Sequence, residues 1–480
     1  MVFGTLALTI ANLLKIALQI VILPVLARLL GPAAYGLVAM SMPLVLLANM
    51  ISDAGLGNAL VRKSNSSPEL ESTIFWFSLA MSLGMSVLVS VVAWPFARAM
   101  SQPELLPIVI TLTVILPLGG SLSVANARIS RAGNFGLFAV SDVVSTIVSS
   151  AAAIGAALAG AGAWSLVIQQ CLLWTIKAAW LIPVSGFRPL FICRPALMVP
   201  YLSFGLHSVG SNLADFANKN FPTMVIGGLI GVVAAGHYAM AYQIVRMPEL
   251  IISGPLYLSI FVSVAKWDND RGEALTVAIK GLRGIVTILA PLFCGLALIA
   301  DLAVEVVLGP AWAATGPILA LLAPAGFFLC VYSFMGAVLM GLGRSEYQFR
   351  LILLSGVCLA LGVILGGSYG GEGVACGFSF GAALAVPFYL YAFSRQLGIP
   401  VAQIVRETSA PLVATLAMAV GVLALERALP DWPPAVGLAA LVLAGAISFG
   451  VVLAVISGRR VWADLQWLFA PHRAAEPELP

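Results

Sequence analysis

Long apolar runs follow one another along almost the whole chain, separated by short stretches that contain glycine, proline or charged residues. Each run is about 20 residues long, which is the length an α-helix needs to cross a bilayer. The runs lack the alternation of apolar and polar residues that is typical of membrane β-strands. Only helices and closed barrels satisfy their backbone hydrogen bonds in lipid, so the pattern predicts an all-α polytopic membrane protein.

Fourteen runs meet this description, and the sequence therefore predicts about fourteen transmembrane helices. The predicted spans are residues 5–28, 35–56, 73–96, 105–127, 137–159, 163–184, 200–229, 234–256, 284–306, 315–342, 349–368, 372–394, 407–427 and 434–457. Lys15 lies in the middle of the first run rather than ahead of it. The first run is therefore interpreted as a membrane helix and not as a cleaved signal peptide.

The composition agrees with a membrane protein and narrows the function classes. Hydrophobic residues make up 61% of the 480 residues and charged residues 9%, against about 45–50% and about 25% in soluble proteins. The net charge of +4 is spread thinly, which excludes the basic surface of a nucleic-acid binder. Six cysteines occur singly, so neither a disulfide framework nor a zinc site is expected.

The sequence carries no motif of a hydrolase, a metalloprotease or a P-loop ATPase. We therefore expect no enzyme activity, no catalytic residue, no metal site and no cofactor. Any transport would be driven by downstream flux or by an ion gradient, with Na⁺ or H⁺ as the coupling ion.

The few basic residues are distributed unequally between the two sides of the membrane. Loops that follow even-numbered spans, taken together with the adjoining parts of the spans and the C-terminal tail, hold eighteen lysines and arginines. Loops that follow odd-numbered spans, taken in the same way, hold three. Basic residues are enriched in cytoplasmic loops. The distribution therefore predicts that both termini are cytoplasmic.

An internal repeat is visible when the chain is shifted by 200 positions. Residues 12–51 and 212–251 are identical at twelve positions, and the pattern LxGxxAxGxxAM begins at Leu29 and again at Leu229. A weaker echo pairs Gly133 with Gly343. Since six spans separate the two copies, both cross the membrane in the same direction, as in transporters made of parallel repeats. We expect two six-helix lobes around a central cavity.

This repeat defines the predicted domains. Residues 1–196 form the N-terminal six-helix lobe, residues 197–396 the C-terminal six-helix lobe, residues 397–458 two additional transmembrane helices, and residues 459–480 a cytoplasmic tail. The tail mixes arginine with tryptophan and leucine. It would form either an interfacial helix or a disordered segment.

Charged and amide side chains inside spans one and seven are the primary site candidates. They occupy the same helical face at spacings i, i+3 and i+7, and the repeat relates the two sets. The residues are Asn12, Lys15, Gln19, Asn212, Asp215 and Lys219. Because charges within the bilayer normally face a cavity or a partner, we predict that they line the central cavity. Alternatively, Asp215 and Lys219 form an ion pair within their helix.

Five further charged residues are secondary candidates. Arg28 and Arg246 would make gate contacts or extend toward the interface. Asp53 ends the second span, where an interfacial role and a functional role are both open. Asp142 and Lys177 would either pair across the first lobe or face the cavity.

Several motifs in order resemble one transporter family. They include the segment GPAAYGLVAMSMPLVLLANMISDAGLGNALVRK at residues 31–63, STIFWFSL at 72–79, LSFG at 202–205 and IGGLIGVVAAGHYAMAYQIVRMP at 226–248. The sequence is similar to the polysaccharide transporter family, the Wzx-type flippases of the multidrug/oligosaccharidyl-lipid/polysaccharide superfamily, and in particular to its exopolysaccharide and colanic-acid branch. The resemblance covers approximately residues 1–395.

The resemblance implies a twelve-helix core, with two further helices in some members. It also implies flipping of undecaprenyl-diphosphate-linked oligosaccharide repeat units across the inner membrane for exopolysaccharide or lipopolysaccharide biosynthesis, by ion-coupled alternating access. A polysaccharide polymerase and co-polymerase are the protein partners to consider. In this hypothesis Lys15 and Lys219 attract the diphosphate, amides bind sugar hydroxyls, and Asp215 holds Lys219 or a coupling cation.

Two alternatives are open at this point. A cation-coupled multidrug antiporter of the same superfamily would have the same helices. A membrane polysaccharide polymerase or ligase is disfavoured because the outer loops are short and almost uncharged.

Overall fold

A computed structural model of the chain describes residues 2–53, 67–194, 219–253, 271–428 and 432–458, together with a few single positions between these ranges. The described residues form helices and turns and contain no β-strand. The helices are α1 (Val2–Asp53), α2 (Pro68–Ala99), α3 (Leu105–Leu112), α4 (Ile115–Arg131), α5 (Phe135–Leu158), α6 (Trp164–Val184), α7 (Val232–Pro248), α8 (Arg271–Leu298), α9 (Ala300–Leu308), α10 (Thr315–Gly341), α11 (Ser345–Gly366), α12 (Gly370–Leu397), α13 (Val401–Ala428) and α14 (Pro434–Ser457). Residues 219–229 are also helical, and a π-helical turn, Glu249–Ser253, follows α7.

The predicted all-helical, polytopic fold is confirmed. Ten described segments are long and apolar enough to cross a membrane. Leu14–Ser52 covers two predicted spans, because Gly31 interrupts α1 with a φ of 71°. Ser345–Leu397 likewise covers α11 and α12. The seventh and eighth predicted spans include residues outside the described ranges.

The ninth span differs from its predicted bounds. Helix α8 starts at Arg271 and ends at Leu298, and the short helix α9 follows it, whereas the sequence predicts one span over residues 284–306. Arg283 falls in the predicted loop before this span, whereas the structure places it inside α8. Its guanidinium forms an ion pair with Glu407 of α13, and this partner allows the charge to be accommodated within the helix.

The chain divides into two compact units. Unit 1 comprises Met1–Ala241, Val307–Thr315 and Val363–Ala375. Its helices α1, α2, α4, α5 and α6 pack against one another, and one of its apolar clusters surrounds the buried residues Ile74, Val124 and Phe187. The predicted lobe bounds at 196 and 396 stay a prediction.

Unit 2 comprises Tyr242–Val306, Gly316–Gly362 and Cys376–Pro480. Helix α13 packs on α8 and on α14. Met418, Val422 and Leu441 form an apolar cluster there. Helices α10 and α12 are linked by Tyr332 and Tyr389, whose rings stack with centroids 4.1 Å apart.

The repeated glycine pattern folds into two equivalent turns within unit 1. Gly31 and Gly231 both have positive φ angles, 71° and 117°. A Cβ atom on Gly36 would overlap the carbonyl oxygen of Val232, and a Cβ atom on Gly236 would overlap that of Pro32. Pro32 and Val232 are also repeat mates. The two turns therefore contact each other symmetrically, and each requires a glycine at the crossing.

The weaker echo has the same local structure in both copies. Gly133 ends α4 with a φ of 67°, and Gly343 follows α10 with a φ of 71°. In each case the next residue donates its backbone N–H to a carbonyl five positions earlier, over 3.3 Å at Asn134 and 2.8 Å at Arg344. This is the Schellman helix ending. It marks the corresponding ends of the fourth and tenth spans.

Candidate functional site

Three charged side chains from three predicted spans meet inside unit 1. Lys177 Nζ lies 2.5 Å from one carboxylate oxygen of Asp142, and Lys15 Nζ lies 3.4 Å from the other. The exposed fraction of the side chain is 21% for Lys177 and 30% for both Asp142 and Lys15. We call these three residues the charge cluster.

Local helix geometry explains where the charge cluster lies. Asp142 and Lys177 are each seven residues from a helix end, at Phe135 and Val184 respectively. A rise of about 1.5 Å per residue places both side chains about 10 Å inside their helices. The hydroxyls of Ser145 and Thr146 donate to the Asp142 carbonyl oxygen over 3.1 and 2.7 Å.

The charge cluster carries one net positive charge, because two ammonium groups share a single carboxylate. A charge within the bilayer is costly unless it is paired or reaches water. Here the carboxylate compensates for one lysine, and the partial exposure of all three side chains leaves room for water or an anionic ligand. The arrangement can therefore attract an anion.

This geometry changes the interpretation of three candidates. Asp142 and Lys177 pair across the first lobe, which is one of the two alternatives that the sequence leaves open. Lys15 also has Asp142 as a partner, so the carboxylate of Asp142 is shared by both lysines.

The remaining primary candidates are only partly described. Gln19 is exposed, and Lys219 is half-buried in the helical residues 219–229. The side chain of Asn12 and both Asn212 and Asp215 lie outside the described residues. A shared cavity lined by spans one and seven therefore stays a prediction, as does the Asp215 to Lys219 pair.

The secondary candidates have different surroundings. Arg28 Nε donates to the carbonyl oxygen of Val307 over 3.1 Å. Arg246 is half-buried, and its Nε has no hydrogen-bond partner within the described part of the chain. The side chain of Asp53 lies outside the described residues.

A second ion-pair group is not predicted from the sequence. Arg128 and Arg131 contact the two carboxylate oxygens of Glu71 over 2.7 and 2.5 Å, and the Glu71 side chain is only 4% exposed. The positions of both arginines in the sequence indicate ordinary loop charges. Since Glu71 is 57 and 60 residues away in sequence, no local spacing indicates the contact.

The chain matches a family of known proteins over a long continuous segment. The family described as "Polysaccharide biosynthesis protein" matches residues 25–317, which is more than half of the chain. The chain belongs to the polysaccharide biosynthesis protein family. The predicted family resemblance is thereby confirmed.

Two relatives of this polysaccharide biosynthesis protein have names that describe their roles. This chain is 29% identical over 351 residues to the succinoglycan biosynthesis transport protein ExoT of Rhizobium meliloti (strain 1021). The aligned region covers 73% of this chain and 71% of the relative. This chain is 25% identical over 380 residues to the lipopolysaccharide biosynthesis protein WzxC of Escherichia coli (strain K12). The aligned region covers 77% of this chain and 76% of the relative.

A solved structure shares the fold of this polysaccharide biosynthesis protein. The lipid II flippase MurJ in an inward closed conformation superposes with a TM-score of 0.73, covering 95% of this chain and 98% of the other. The sequences are 13% identical, so the likeness concerns the fold alone.

Proposed function

We propose that this polysaccharide biosynthesis protein is a flippase that moves undecaprenyl-diphosphate-linked oligosaccharide repeat units across the inner membrane. Membership of the family and the similarity to relatives named for succinoglycan transport and lipopolysaccharide biosynthesis support a transport role in polysaccharide synthesis. The fold shared with a lipid II flippase is consistent with a lipid-linked substrate. These relatives are transport and biosynthesis proteins, which supports the expectation that the chain is not an enzyme.

The charge cluster is the observation that carries the proposal. A lysine ammonium is a compact charge that binds phosphate oxygens without demanding one fixed geometry. Lys15 is held by Asp142 at the longer distance of 3.4 Å, so its ammonium is the one that a diphosphate would capture first. The sugar would enter with the diphosphate, while the polyprenyl chain remains in lipid. No covalent step is needed.

The remaining parts of the proposal concern energy and orientation. A gradient of Na⁺ or H⁺ would drive the cycle, and both termini would be cytoplasmic. The exposed thiol of Cys193 follows the sixth span. In this orientation a membrane-impermeant maleimide should label Cys193 only after the inner membrane is opened.

Two lysine variants test the function directly. Lys15→Gln and Lys177→Gln would be expressed in a strain that lacks the chromosomal gene, at levels matched to the wild type. We expect reduced polymer export and accumulation of the lipid-linked intermediate in the cytoplasmic leaflet, measured by its accessibility to an added sugar-modifying enzyme. Arg350→Gln is the matched control, because Arg350 is 69% exposed and, among the described residues, forms an ion pair with Glu346 one helical turn away.

Full export by the double variant Lys15→Gln/Lys177→Gln would overturn the role of the charge cluster. Normal polymer export in the deletion strain, combined with increased drug susceptibility, would instead favour the multidrug antiporter.

A further inference from the structure

The segment after α6 is held tightly against the start of α2. We call residues Phe187–Arg194 the strap. Phe187 is 6% exposed and packs in the apolar cluster with Phe75 and Ile74. The Arg128 guanidinium lies 5.3 Å from the centre of the Phe187 ring. The strap is therefore anchored at its first residue by a buried aromatic side chain.

Side chains of α2 bind the strap backbone at three points. Leu190 N–H donates to the Ser72 hydroxyl over 3.0 Å, and Arg194 N–H donates to the Thr73 hydroxyl over 3.1 Å. The Trp76 indole donates to the Leu190 carbonyl oxygen over 2.8 Å. These bonds fix the orientation of the strap, so the side chains that it exposes are presented in a defined arrangement.

The outer face of the strap combines apolar and basic groups. Phe191 is 94% exposed, and its ring stacks on Trp76 with centroids 5.4 Å apart. Leu190 and Arg188 are also exposed. Arg194 pairs with Glu69 over 2.9 Å, yet 63% of its side chain remains accessible.

The position of the strap relative to the membrane helices indicates which molecules contact its outer face. It lies at the ends of two membrane helices, α2 and α6, where the bilayer interface must be. Tryptophan, such as Trp76 beside the strap, is enriched at this depth, and phenylalanine and leucine side chains of interfacial segments enter the acyl boundary. Basic side chains there attract anionic headgroups. We propose that the strap is a docking site for anionic phospholipids, with Phe191 and Leu190 at the boundary of the acyl chains and with Arg188 and Arg194 on the headgroup phosphate.

A soluble short-chain lipid gives a direct test. The full-length protein, with its other cysteines replaced by alanine, would carry an environment-sensitive fluorophore on Cys193, which is exposed within the strap. The protein in a neutral detergent is titrated with dihexanoyl phosphatidylglycerol and, separately, with dihexanoyl phosphatidylcholine. We expect a blue shift with an apparent affinity about tenfold higher for phosphatidylglycerol, since two basic groups contribute near an anionic surface.

Variants separate the two parts of the site. Arg188→Gln/Arg194→Gln should remove the preference for phosphatidylglycerol, whereas Arg350→Gln should retain it. Phe191→Ser should weaken the binding of both lipids by about tenfold. Because Phe191 is almost fully exposed, this change should leave folding intact, as checked by the elution volume in size-exclusion chromatography.

Three outcomes would overturn the proposal. The first is an equal response to the two lipids. The second is an unchanged preference in Arg188→Gln/Arg194→Gln. The third is the same blue shift with glycerol phosphate alone, which would indicate a site for free phosphate rather than for lipid.

Discussion

The two ion pairs of the charge cluster, Asp142 with Lys177 and Asp142 with Lys15, should contribute unequally to stability. Asp142→Asn removes the carboxylate that both lysines share, and Lys177→Gln or Lys15→Gln removes one cation at a time. The 2.5 Å contact to Lys177 is close enough for a charge-assisted hydrogen bond. The 3.4 Å contact to Lys15 is longer than a normal hydrogen bond. Lys177 should therefore be the more strongly coupled partner.

The magnitude follows from the two distances. At an effective dielectric constant of 20, Coulomb's law gives upper limits of about 7 kcal/mol at 2.5 Å and about 5 kcal/mol at 3.4 Å. The side chains are between one-fifth and one-third exposed, so water screens much of this energy. Removing one partner of a fully buried pair costs about 3–5 kcal/mol, and exposed pairs contribute about 0–1 kcal/mol. We expect a coupling energy of about 2 kcal/mol for Lys177 and below about 1 kcal/mol for Lys15.

Two double-mutant cycles measure these couplings. One combines Asp142→Asn with Lys177→Gln, and the other combines Asp142→Asn with Lys15→Gln. The free energy of unfolding is obtained by SDS titration of the purified protein in mixed micelles. Equal couplings for the two lysines, or a larger coupling for Lys15, would refute the assignment of Lys177 as the tighter partner.

Three further predictions concern the packing of the helices. Gly36→Ala should destabilise the protein by about 1–3 kcal/mol, because the added Cβ would overlap the turn that contains Val232. Gly84 has open space around it, so the control Gly84→Ala should be neutral or slightly stabilising in the same unfolding assay. Glu71→Gln should cost no more than about 3–5 kcal/mol, since Glu71 is buried but both arginines are partly exposed. Glu346→Gln, 73% exposed, should cost less than about 1 kcal/mol. Trp312→Phe should cost about 1–3 kcal/mol, since it removes a buried hydrogen bond to a helix carbonyl; an unchanged free energy of unfolding would contradict this.

Periodicity and length are sufficient to predict the helical architecture. A membrane span has to satisfy its backbone hydrogen bonds within one continuous apolar segment, so the local sequence indicates that a span exists and where it approximately lies. The glycine turns at Gly31 and Gly231 are also visible, because the repeat preserves the spacing of the glycines. The early start of α8 is not predicted, because the charges before residue 284 are typical of a loop, and the sequence does not show that Glu407 pairs with Arg283.

The candidate site can be predicted only in part. Lys15, Asp142 and Lys177 are each recognisable as charges inside predicted spans. Their joint contact at one carboxylate depends on how α1, α5 and α6 are rotated and packed, and helix periodicity alone does not specify this. The same reason explains why the sequence does not indicate Glu71 as the partner of two arginines.

The order of synthesis makes Lys15 informative about function. Its partner Asp142 lies 127 residues later in the chain, so the first span enters the membrane before the carboxylate that compensates for its charge exists. A lysine near the middle of an inserting helix costs about 2.5–3.5 kcal/mol, and glutamine or leucine at this position would insert more easily. The later contact at 3.4 Å offsets only part of this cost. A cation that is expensive to insert and loosely held afterwards contributes little to folding, which favours a role in binding an anionic substrate.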